Sequence, residues 1–576
     1  MRISRNIFSI QILILLLLTG CSKPTGQAPA PAVQAPPATE QARIGRNAAV
    51  AMPDEYSAQV SEDILRAGGN AVDAAIAAGF ALAVTFPEAG NIAGGGFMLI
   101  HADGESVFLD YREVAPLAAH RDIYLDDAGE VIPHMSLIGH RASGVPGTVA
   151  GFQAAHQRFG KLSWRDLVMP AVHLAAEGFV VHAELERVWR KYRKPFIGKT
   201  NFDDHFGEML QGQLLKQPEL AKTLQRIADS GAREFYSGET ARLIVDEMER
   251  GDGLITAEDL ERYRAVWREP LTAGWRGYQL LSAPPPSSGG FAVIQLLKMK
   301  DYLDHYFTGV AHNSPQYIHL VAEMEKRVFA DRAEYMGDPD YLRVRVDELI
   351  AEEYIAMRAQ QVNPDEISSI EASPPGLESP QTTHFSIIDA AGNAVSNTYT
   401  LNNSFGSGVV IPGTGILMNN QMDDFSVKPG VPNYYGVVGT TANEIQPGKR
   451  MLSSMSPTML LEDGEVAMVV GTEGGSTIFT TVFQTIVNIV DFGMSPSAAA
   501  DAVRFHHQLL PPDLVTYTPS RALPAETITT LGDRGYRVEP HFFDFGDVQV
   551  IVRDGDTLYP GSESFDRGQS RVIELD

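Results

Sequence analysis

Thr382 and Thr400 carry hydroxyl groups that the local sequence pattern places side by side. Polar and apolar residues alternate over 382–388, which predicts a half-buried strand, and residues 394–401 form a second strand-like run. Residues 389–393 between the two runs are typical of a loop. If they form a hairpin loop, Thr382 lies opposite Thr400, and directly opposed Cβ atoms are roughly 5 Å apart. Such a pair is an ordinary contact on a sheet surface unless other residues give the hydroxyls a chemical role.

Two features elsewhere in the chain could supply that role. Residues 471–476 are rich in glycine, follow a predicted strand and precede a predicted helix at 477–490. A strand–glycine–helix step presents backbone N–H groups and the positive end of a helix dipole. Arg112 lies in a predicted strand, 108–116. It forms either a surface ion pair or a bidentate contact to a carboxylate ligand.

The common hydrolase and cofactor motifs are absent. The sequence contains neither a Gly-x-Ser-x-Gly elbow nor a His-Glu-x-x-His motif. The three glycines at 94–96 lead into a strand and not a helix, which argues against a nucleotide-binding loop. His506 and His507 are adjacent and have no companion ligands at metal spacing, so we expect structural roles for them. The sequence therefore implies no cofactor and no metal.

The composition is that of a globular protein with a substantial core, with 44% hydrophobic and 20% charged residues. The formal net charge is −26, from 72 acidic against 46 basic residues. This negative charge argues against a nucleic-acid partner. The excess is spread along the chain, which indicates a solvated surface and not a binding tail. At 576 residues, the chain could form several small domains or one large compact unit.

The first residues predict an export signal. Two arginines precede an apolar run, 7–18, which is short for a bilayer span and has the form of a signal-peptide core. The sequence Leu-Thr-Gly-Cys at 18–21 resembles a bacterial lipobox, with Cys21, the only cysteine, as the lipidation site. The alternative is an ordinary secretory signal with an incidental cysteine. We predict a lipoprotein signal peptide at 1–20 and a disordered, Pro- and Ala-rich tether at 21–45.

These features predict an exported bacterial lipoprotein on the periplasmic face of a membrane. Ser22 after the cysteine indicates the outer membrane by resemblance to sorting signals. The only membrane contact would be the lipid anchor.

The elements that position Thr382 follow from periodicity. Small residues at helical spacing predict a closely packed helix over 61–81, and residues 458–461 and 466–470 predict strands. A polar, proline-rich segment, 363–381, leads to Thr382.

Six short motifs, in one order, resemble the gamma-glutamyltranspeptidase family of glutathione hydrolases, within the N-terminal nucleophile hydrolase superfamily. The resemblance extends from Ala48 to the C-terminus and is strongest over 381–476. The motifs are Gly-Gly-Gly-Phe-Met at 94–98, Asp-Tyr-Arg-Glu at 110–113, Pro-Gly-Thr-Val-Ala-Gly at 146–151, Thr-Thr-His-Phe-Ser at 382–386, Asn-Asn-Gln-Met-Asp-Asp-Phe at 419–425 and Leu-Ser-Ser-Met-Ser-Pro at 452–457.

The resemblance implies a precursor that cuts itself between Gln381 and Thr382. The large subunit, 46–381, and the small catalytic subunit, 382–576, would stay associated as a heterodimer in one compact α+β unit, a four-layer αββα sandwich. The Thr382 hydroxyl would attack the Gln381 carbonyl, and water would resolve the resulting ester. The freed α-amino group would have a pKa of about 7.7–8.0. It can serve as general base for the hydroxyl of its own residue.

The resemblance also implies roles for residues around Thr382. Thr400 would hydrogen-bond the nucleophile, and Tyr435 would belong to a lid loop, with an ordinary surface loop as the alternative. The remaining residues would bind the γ-glutamyl group: Arg112, Ser453 and Ser454 its α-carboxylate, Asn402, Gln421 and Asp424 its α-ammonium, and Gly474 and Gly475 the oxyanion. One departure from the family pattern is Thr472-Glu473, where a serine and a proline are expected. A carboxylate there could oppose charge development unless it points to solvent.

The implied enzyme is a γ-glutamyltransferase and hydrolase. Glutathione or a related γ-glutamyl amide would acylate Thr382, and the acyl group would pass to water or to an amino-acid or peptide acceptor. One alternative is an acylase of the same superfamily acting on glutaryl or cephalosporin side chains. Those substrates lack the α-ammonium, so an intact Asn402, Gln421 and Asp424 set argues against it. A second alternative, a non-catalytic surface lipoprotein, predicts a single uncleaved chain.

Overall fold

In a computed structural model of the protein, the residues described are 42–43, 47–341, 345–369, 381–428, 440–565 and 567–575. The predicted signal peptide, Cys21 and Tyr435 lie outside them. Within the described ranges, no helix combines the length and hydrophobicity needed to cross a membrane.

The described residues form 21 β-strands, numbered along the chain. They are β1 Ala42–Arg43, β2 Asn47–Met52, β3 Gly95–Ala102, β4 Glu105–Asp110, β5 Phe179–Val180, β6 Leu214–Leu215, β7 Val266–Arg268, β8 Leu271–Trp275, β9 Tyr278–Ser282, β10 Gln381–Ile388, β11 Ala394–Asn402, β12 Val410–Ile411, β13 Ile416–Leu417, β14 Thr458–Glu462, β15 Glu465–Gly471, β16 Phe505–His506, β17 Leu514–Tyr517, β18 Arg537–Pro540, β19 Gln549–Asp554, β20 Thr557–Ser562 and β21 Gln569–Glu574.

The same residues form 18 α-helices. They are α1 Glu55–Arg66, α2 Ala71–Thr85, α3 Thr148–Phe159, α4 Trp164–Glu177, α5 Ala183–Tyr192, α6 Phe202–Phe206, α7 Pro218–Ser230, α8 Ala232–Ser237, α9 Glu239–Arg250, α10 Ala257–Arg262, α11 Gly289–Tyr302, α12 Asp304–Phe307, α13 Pro315–Tyr335, α14 Val346–Leu349, α15 Glu352–Gln360, α16 Ile478–Val490, α17 Pro496–Ala500 and α18 Ala525–Arg534.

Two seven-stranded sheets form the centre of the fold. Sheet I has the order β21-β2-β10-β11-β3-β4-β7, and sheet II has the order β1-β20-β19-β15-β14-β9-β8. The sheets stack face to face, and side chains join them, since Ser386 Oγ donates to the Gln549 carbonyl oxygen at 3.1 Å. All pairings within the two sheets are antiparallel.

Sheet I is buried on both faces, which explains its apolar strands. Along β2, Val50 joins the core formed with α1 to α4, whereas its neighbours Ala49 and Ala51 join the core that includes sheet II. Successive strand residues point to opposite faces, so one strand serves two cores. Helices α11, α13 and α16 cover the outer face of sheet II. The described chain therefore has the predicted four-layer αββα architecture.

One sequence-based expectation about a helix differs from the structure. The helix expected over 61–81 is two helices, α1 and α2. They are separated at Gly68, whose φ of 89° is left-handed, and Asn70, whose side chain accepts from the Asp73 N–H at 2.9 Å and caps α2. Of the segment 21–45, which was predicted to be a tether, the structure describes only Ala42–Arg43, which pairs with β20.

Candidate active site

A polar cavity of ≈ 270 Å³ lies where β10 and β11 approach the glycine turn after β15. We call it the donor cavity. It brings together residues that lie as far apart in sequence as 112 and 478. All six predicted substrate-binding residues and three of the four predicted catalytic residues line it: Arg112, Thr382, Thr400, Asn402, Gln421, Asp424, Ser453, Ser454 and Gly475. Met455 and Ile478, which the sequence did not single out, complete the lining.

The hairpin that carries Thr382 has the predicted register over most of its length. Ile388 pairs with Ala394, and Thr383 pairs with Tyr399. Beyond Thr383 the register shifts, because Gln381 pairs with Asn402. Thr382 therefore lies at a bulge and not in a regular Thr382–Thr400 pair. A bulge redirects a side chain, and here both threonines line the donor cavity.

The Thr400 side chain is held by the strand end that follows it. Its Oγ1 accepts a hydrogen bond from the Asn402 backbone N–H at 2.8 Å, and Asn402 Nδ2 donates to the Asn420 carbonyl oxygen at 3.1 Å. Asn402 has a φ of 81°, a left-handed conformation that asparagine tolerates better than most residues. The chain thus turns at Asn402, and both Thr400 and Asn402 line the donor cavity.

Arg112 and Asp424 form an ion pair inside the cavity. Arg112 Nη2 lies 2.5 Å from Asp424 Oδ2 and donates to the Leu452 carbonyl oxygen at 3.0 Å. Gln421 Nε2 donates to the same Asp424 oxygen at 2.6 Å. The predicted strand 108–116 is shorter than expected: β4 ends at Asp110, whose carboxylate accepts the Arg112 N–H at 3.0 Å and turns the chain toward the cavity.

Glu113 lies beneath Arg112 and is fully buried. Its Oε2 is 3.8 Å from Arg112 Nη1, and neither carboxyl oxygen has a hydrogen-bond partner among the described residues. Burial raises the pKa of Glu113 to about 8, against the opposing effect of the Arg112 charge. Glu113 is therefore mostly neutral at pH 7, and Asp424 is the ionised partner of Arg112 in the cavity.

A second arginine, Arg332 on α13, contacts Ser454 and so lies next to the predicted carboxylate-binding serines, Ser453 and Ser454. Its Nη2 donates to Ser454 Oγ at 3.2 Å, and its Nε donates to Ser288 Oγ at 3.0 Å. Ser288 donates from its backbone N–H and from Oγ to the Ser453 carbonyl oxygen, at 2.7 and 2.8 Å. Sequence reasoning missed Arg332 because nothing in its helix separates it from surface arginines. It adds positive charge at the predicted α-carboxylate site.

The glycine turn after β15 requires residues without a side chain. Gly474 has a φ of 126° and Gly475 a φ of 59°, and a Cβ at Gly474 would lie 2.3 Å from Thr477 Oγ1. Gly475 lines the donor cavity at the start of the 3₁₀ turn Gly475–Thr477, which continues into α16. Gly474 is not part of the lining. Glu473 lines a different cavity and is not among the residues that line the donor cavity.

No histidine lines the donor cavity within the described chain. His384, two residues after Thr382, bonds Thr398 Oγ1 at 2.8 Å and Ser386 Oγ at 3.1 Å. Burial lowers its pKa to about 3. His506 and His507 are also buried, with pKa values lowered by burial to about 3 and about 4. The described residues hold no group of three metal-ligating side chains.

Known proteins resemble this chain over almost its whole length. The family model for gamma-glutamyltranspeptidase matches residues 57–573. The glutathione hydrolase proenzyme of Pseudomonas aeruginosa is 55% identical over 526 residues, which cover 91% of this chain and 94% of that protein. A solved chain of gamma-glutamyltranspeptidase from Pseudomonas nitroreducens, complexed with L-DON, is 55% identical with a TM-score of 0.55 and covers 55% of this chain and 95% of that chain.

Cephalosporin acylase from Bacillus halodurans has a similar structure at lower identity. Its TM-score is 0.79 at 27% identity, over 96% of this chain and 99% of that chain. The fold is thus common to both enzyme types, whereas the sequence identity is 55% to the Pseudomonas aeruginosa glutathione hydrolase proenzyme and 27% to this acylase. The chain belongs to the gamma-glutamyltranspeptidase family.

Proposed function

We propose that this protein is a self-processing γ-glutamyltransferase and hydrolase that acts on glutathione and related γ-glutamyl amides. It transfers the γ-glutamyl group to water or to amino-acid and peptide acceptors. The observation that carries the proposal is the donor cavity, in which Thr382 shares one lining with Arg112 and Asp424. A nucleophile beside a fixed pair of opposite charges suits a substrate with an amino-acid head and a reactive γ-carbonyl.

Processing creates the catalytic base. Thr382 is joined to Gln381 within β10, so its nitrogen is a peptide N–H until that bond breaks. Cleavage converts this nitrogen to an α-amine on the residue that bears the hydroxyl. The amine can then take the hydroxyl proton as Oγ attacks the γ-carbonyl, and return it to the leaving nitrogen. No histidine of the described chain is needed for this step.

The charged residues orient the donor. The α-carboxylate is assigned to Arg112, Ser453 and Ser454, with Arg332 adding positive charge behind Ser454. The α-ammonium is assigned to Asn402, Gln421 and Asp424. Arg112 and Asp424 pair with each other in the empty cavity. When a zwitterion binds, this ion pair is replaced by two, one between Arg112 and the α-carboxylate and one between Asp424 and the α-ammonium. This exchange keeps both charges compensated in the empty and in the occupied cavity.

The oxyanion that forms during attack is assigned to the backbone N–H groups of Gly474 and Gly475. Gly475 lies on the cavity lining, and the turn leads into the N-terminus of α16. Backbone donors held in a rigid turn need no reorganisation as charge develops.

A denaturing gel with N-terminal sequencing of the smaller fragment tests the processing step. We expect two fragments from the wild-type chain, the smaller beginning at Thr382. A single intact chain would favour the non-catalytic alternative. Comparing γ-glutamyl-p-nitroanilide with glutaryl-p-nitroanilide tests the substrate class, because the glutaryl compound lacks the α-ammonium. A preference for the glutaryl compound would identify an acylase instead.

The location of the enzyme is proposed from sequence features alone. The lipobox-like segment ending at Cys21 supports a lipid anchor on the periplasmic face of a bacterial membrane, and Ser22 supports the outer membrane. Metabolic labelling with a radioactive or alkyne-tagged fatty acid tests this: the wild type should incorporate label, and Cys21→Ser should not.

A further inference from the structure

Asn443 is a buried residue that connects the two sides of the donor cavity without lining it. It ends the 3₁₀ turn Thr441–Asn443, in the segment between Asp424 and Ser453. Its Nδ2 donates to the Asp424 carbonyl oxygen at 2.7 Å, and its Oδ1 accepts from the Leu452 N–H at 3.1 Å. One short side chain is therefore bonded to the backbone of the proposed ammonium side and to the backbone of the proposed carboxylate side.

These two hydrogen bonds complete a closed ring with Arg112. Arg112 Nη2 donates to the Leu452 carbonyl oxygen at 3.0 Å, and the same nitrogen contacts Asp424 Oδ2 at 2.5 Å. The ring has four members, which are Asn443, Leu452, Arg112 and Asp424. Three of them belong to the predicted small subunit, and Arg112 belongs to the predicted large subunit. Both charges of the donor cavity are thus connected twice, once directly and once through Asn443.

The turn that carries Asn443 is fixed by a buried lysine. Lys449 donates from Nζ to the carbonyl oxygens on either side of Asn443, those of Ala442 and Glu444, at 2.8 and 3.0 Å. A buried ammonium group requires such acceptors, which makes these contacts costly to break. The Lys449 carbonyl oxygen accepts from the Ala115 N–H at 2.8 Å and so joins the turn to the predicted large subunit. The position of Asn443 is therefore determined by the fold and not by a ligand.

We propose that Asn443 is a positioning residue that sets the distance between the carboxylate-binding and ammonium-binding sides of the donor cavity. The inference rests on the proposed function, in which the zwitterionic head of the substrate separates Arg112 from Asp424. That separation opens one bond of the ring. The other three bonds, two of them made by Asn443, still connect the two charged residues and limit how far apart they move.

A fixed separation favours a substrate with both charges over a substrate with either one. The α-carboxylate and the α-ammonium of a γ-glutamyl group are attached to the same carbon atom, so the distance between them is short and constant. A cavity whose two sides already have the matching distance binds both charges without ordering its own residues first. A substrate with a single charge contacts one side only and can shift toward it.

Three p-nitroanilides separate this role from a general structural one. The γ-glutamyl compound has both charges, the glutaryl compound lacks the α-ammonium, and the 4-aminobutyryl compound lacks the α-carboxylate. Asn443→Ala removes both side-chain hydrogen bonds. In the cut heterodimer, we expect kcat/KM for the γ-glutamyl compound to fall by about ten-fold and kcat/KM for each of the other two to change by less than about two-fold. The loss should lie in KM, because the nucleophile and the oxyanion donors are unchanged.

Asn443→Ser is the second variant, because a hydroxyl group is small and can satisfy only one of the two backbone groups. It should show the same pattern with a smaller loss. Thr441→Ala is the matched control, since Thr441 is an exposed residue of the same turn and does not line the donor cavity. It should leave kcat/KM unchanged for all three substrates.

Parallel losses of Asn443→Ala on all three substrates, or an unchanged KM for the γ-glutamyl compound, would overturn the proposal. The same holds if neither Asn443 variant yields a cut heterodimer, because Asn443 would then serve folding or processing. A wild-type enzyme that hydrolyses none of the three compounds, or prefers the glutaryl compound, is a separate result that would refute the proposed function itself.

Discussion

The Arg112 guanidinium and the Asp424 carboxylate are in contact at 2.5 Å, although they lie 312 positions apart in the chain. Arg112 is fully buried and Asp424 is only partly exposed to the cavity. If the chain is cut before Thr382, the two charges belong to different subunits. Under the proposed assignment of these residues to the substrate, recognition would then depend on an ion pair across the subunit interface, and binding would require a correctly assembled heterodimer.

The first prediction concerns Thr382 as nucleophile for both cleavage and turnover. Thr382→Ala should remain one uncut chain and show no γ-glutamyl hydrolysis, because the hydroxyl is absent in both steps. Thr382→Ser keeps a hydroxyl and should still be cut. The measurements are a denaturing gel and p-nitroaniline release. Hydrolysis by Thr382→Ala would place the nucleophile elsewhere.

A second prediction addresses the charge of Asp424. Asp424→Asn keeps the size of the side chain and removes the countercharge for the substrate ammonium. We expect kcat/KM for γ-glutamyl-p-nitroanilide to fall by about ten-fold or more, the equivalent of about 1.4 kcal/mol or more, with a smaller effect on glutaryl-p-nitroanilide. Asp423→Asn is the neighbouring control, since Asp423 bonds Ser136 and does not line the donor cavity. A parallel loss for both substrates would argue against an ammonium contact.

The glycine turn gives a third prediction. In Gly474→Ala the added methyl group would meet Thr477 Oγ1 at 2.3 Å and displace the turn that carries the Gly475 N–H. Loss of one oxyanion donor costs on the order of 10²–10³ in kcat, and we expect a loss of this size with little change in KM. Gly493→Ala is the control: Gly493 also has a positive φ, 64°, but a methyl group added there would meet no atom within 4 Å. Comparable kcat values for the two variants would exclude this glycine from catalysis.

The fourth prediction follows from the raised pKa of Glu113. Burial raises it from 4.5 to about 8, so between these values the folded chain holds a proton that the unfolded chain has lost. The free energy of unfolding therefore falls as pH rises through this window, by about 1.4 kcal/mol for each unit of pKa difference at most. Glu113→Gln removes this contribution. Urea unfolding at pH 5 and pH 8.5, in the uncut Thr382→Ala background, should show a weaker pH dependence for the Gln variant.

The opposite sign, or identical slopes for the two proteins, would mean that Glu113 does not carry the proton. The charges around the carboxyl are Arg112, Asp110 and Asp424, and they are the same in both proteins. The difference between the two slopes therefore isolates Glu113.

Local patterns predicted the elements around the nucleophile well. Alternation of polar and apolar residues predicted β10 and β11 and their register from Ile388 to Thr383, because side chains on a strand alternate between two faces whatever lies on them. Periodicity could not predict the bulge at Thr382, since it depends on where the chain turns beyond Asn402. The expected helix over 61–81 was wrong for a similar reason. The apolar spacing continues across the sequence Gly-Gly-Asn at 68–70, where Gly68 has a left-handed φ and the first helix has already ended.

The sequence by itself determined the family, the predicted cut before Thr382 and nine of the eleven residues that line the donor cavity, because each short motif can be read without knowing which distant residues it contacts. Only the tertiary structure decided how those residues meet. The contacts between Arg112 and Asp424 and between Arg332 and Ser454 each join segments that are more than a hundred positions apart. The burial of Glu113 likewise depends on the segments that pack around it. Burial and distance set their charges and partners, and neither quantity is a property of a local stretch of sequence.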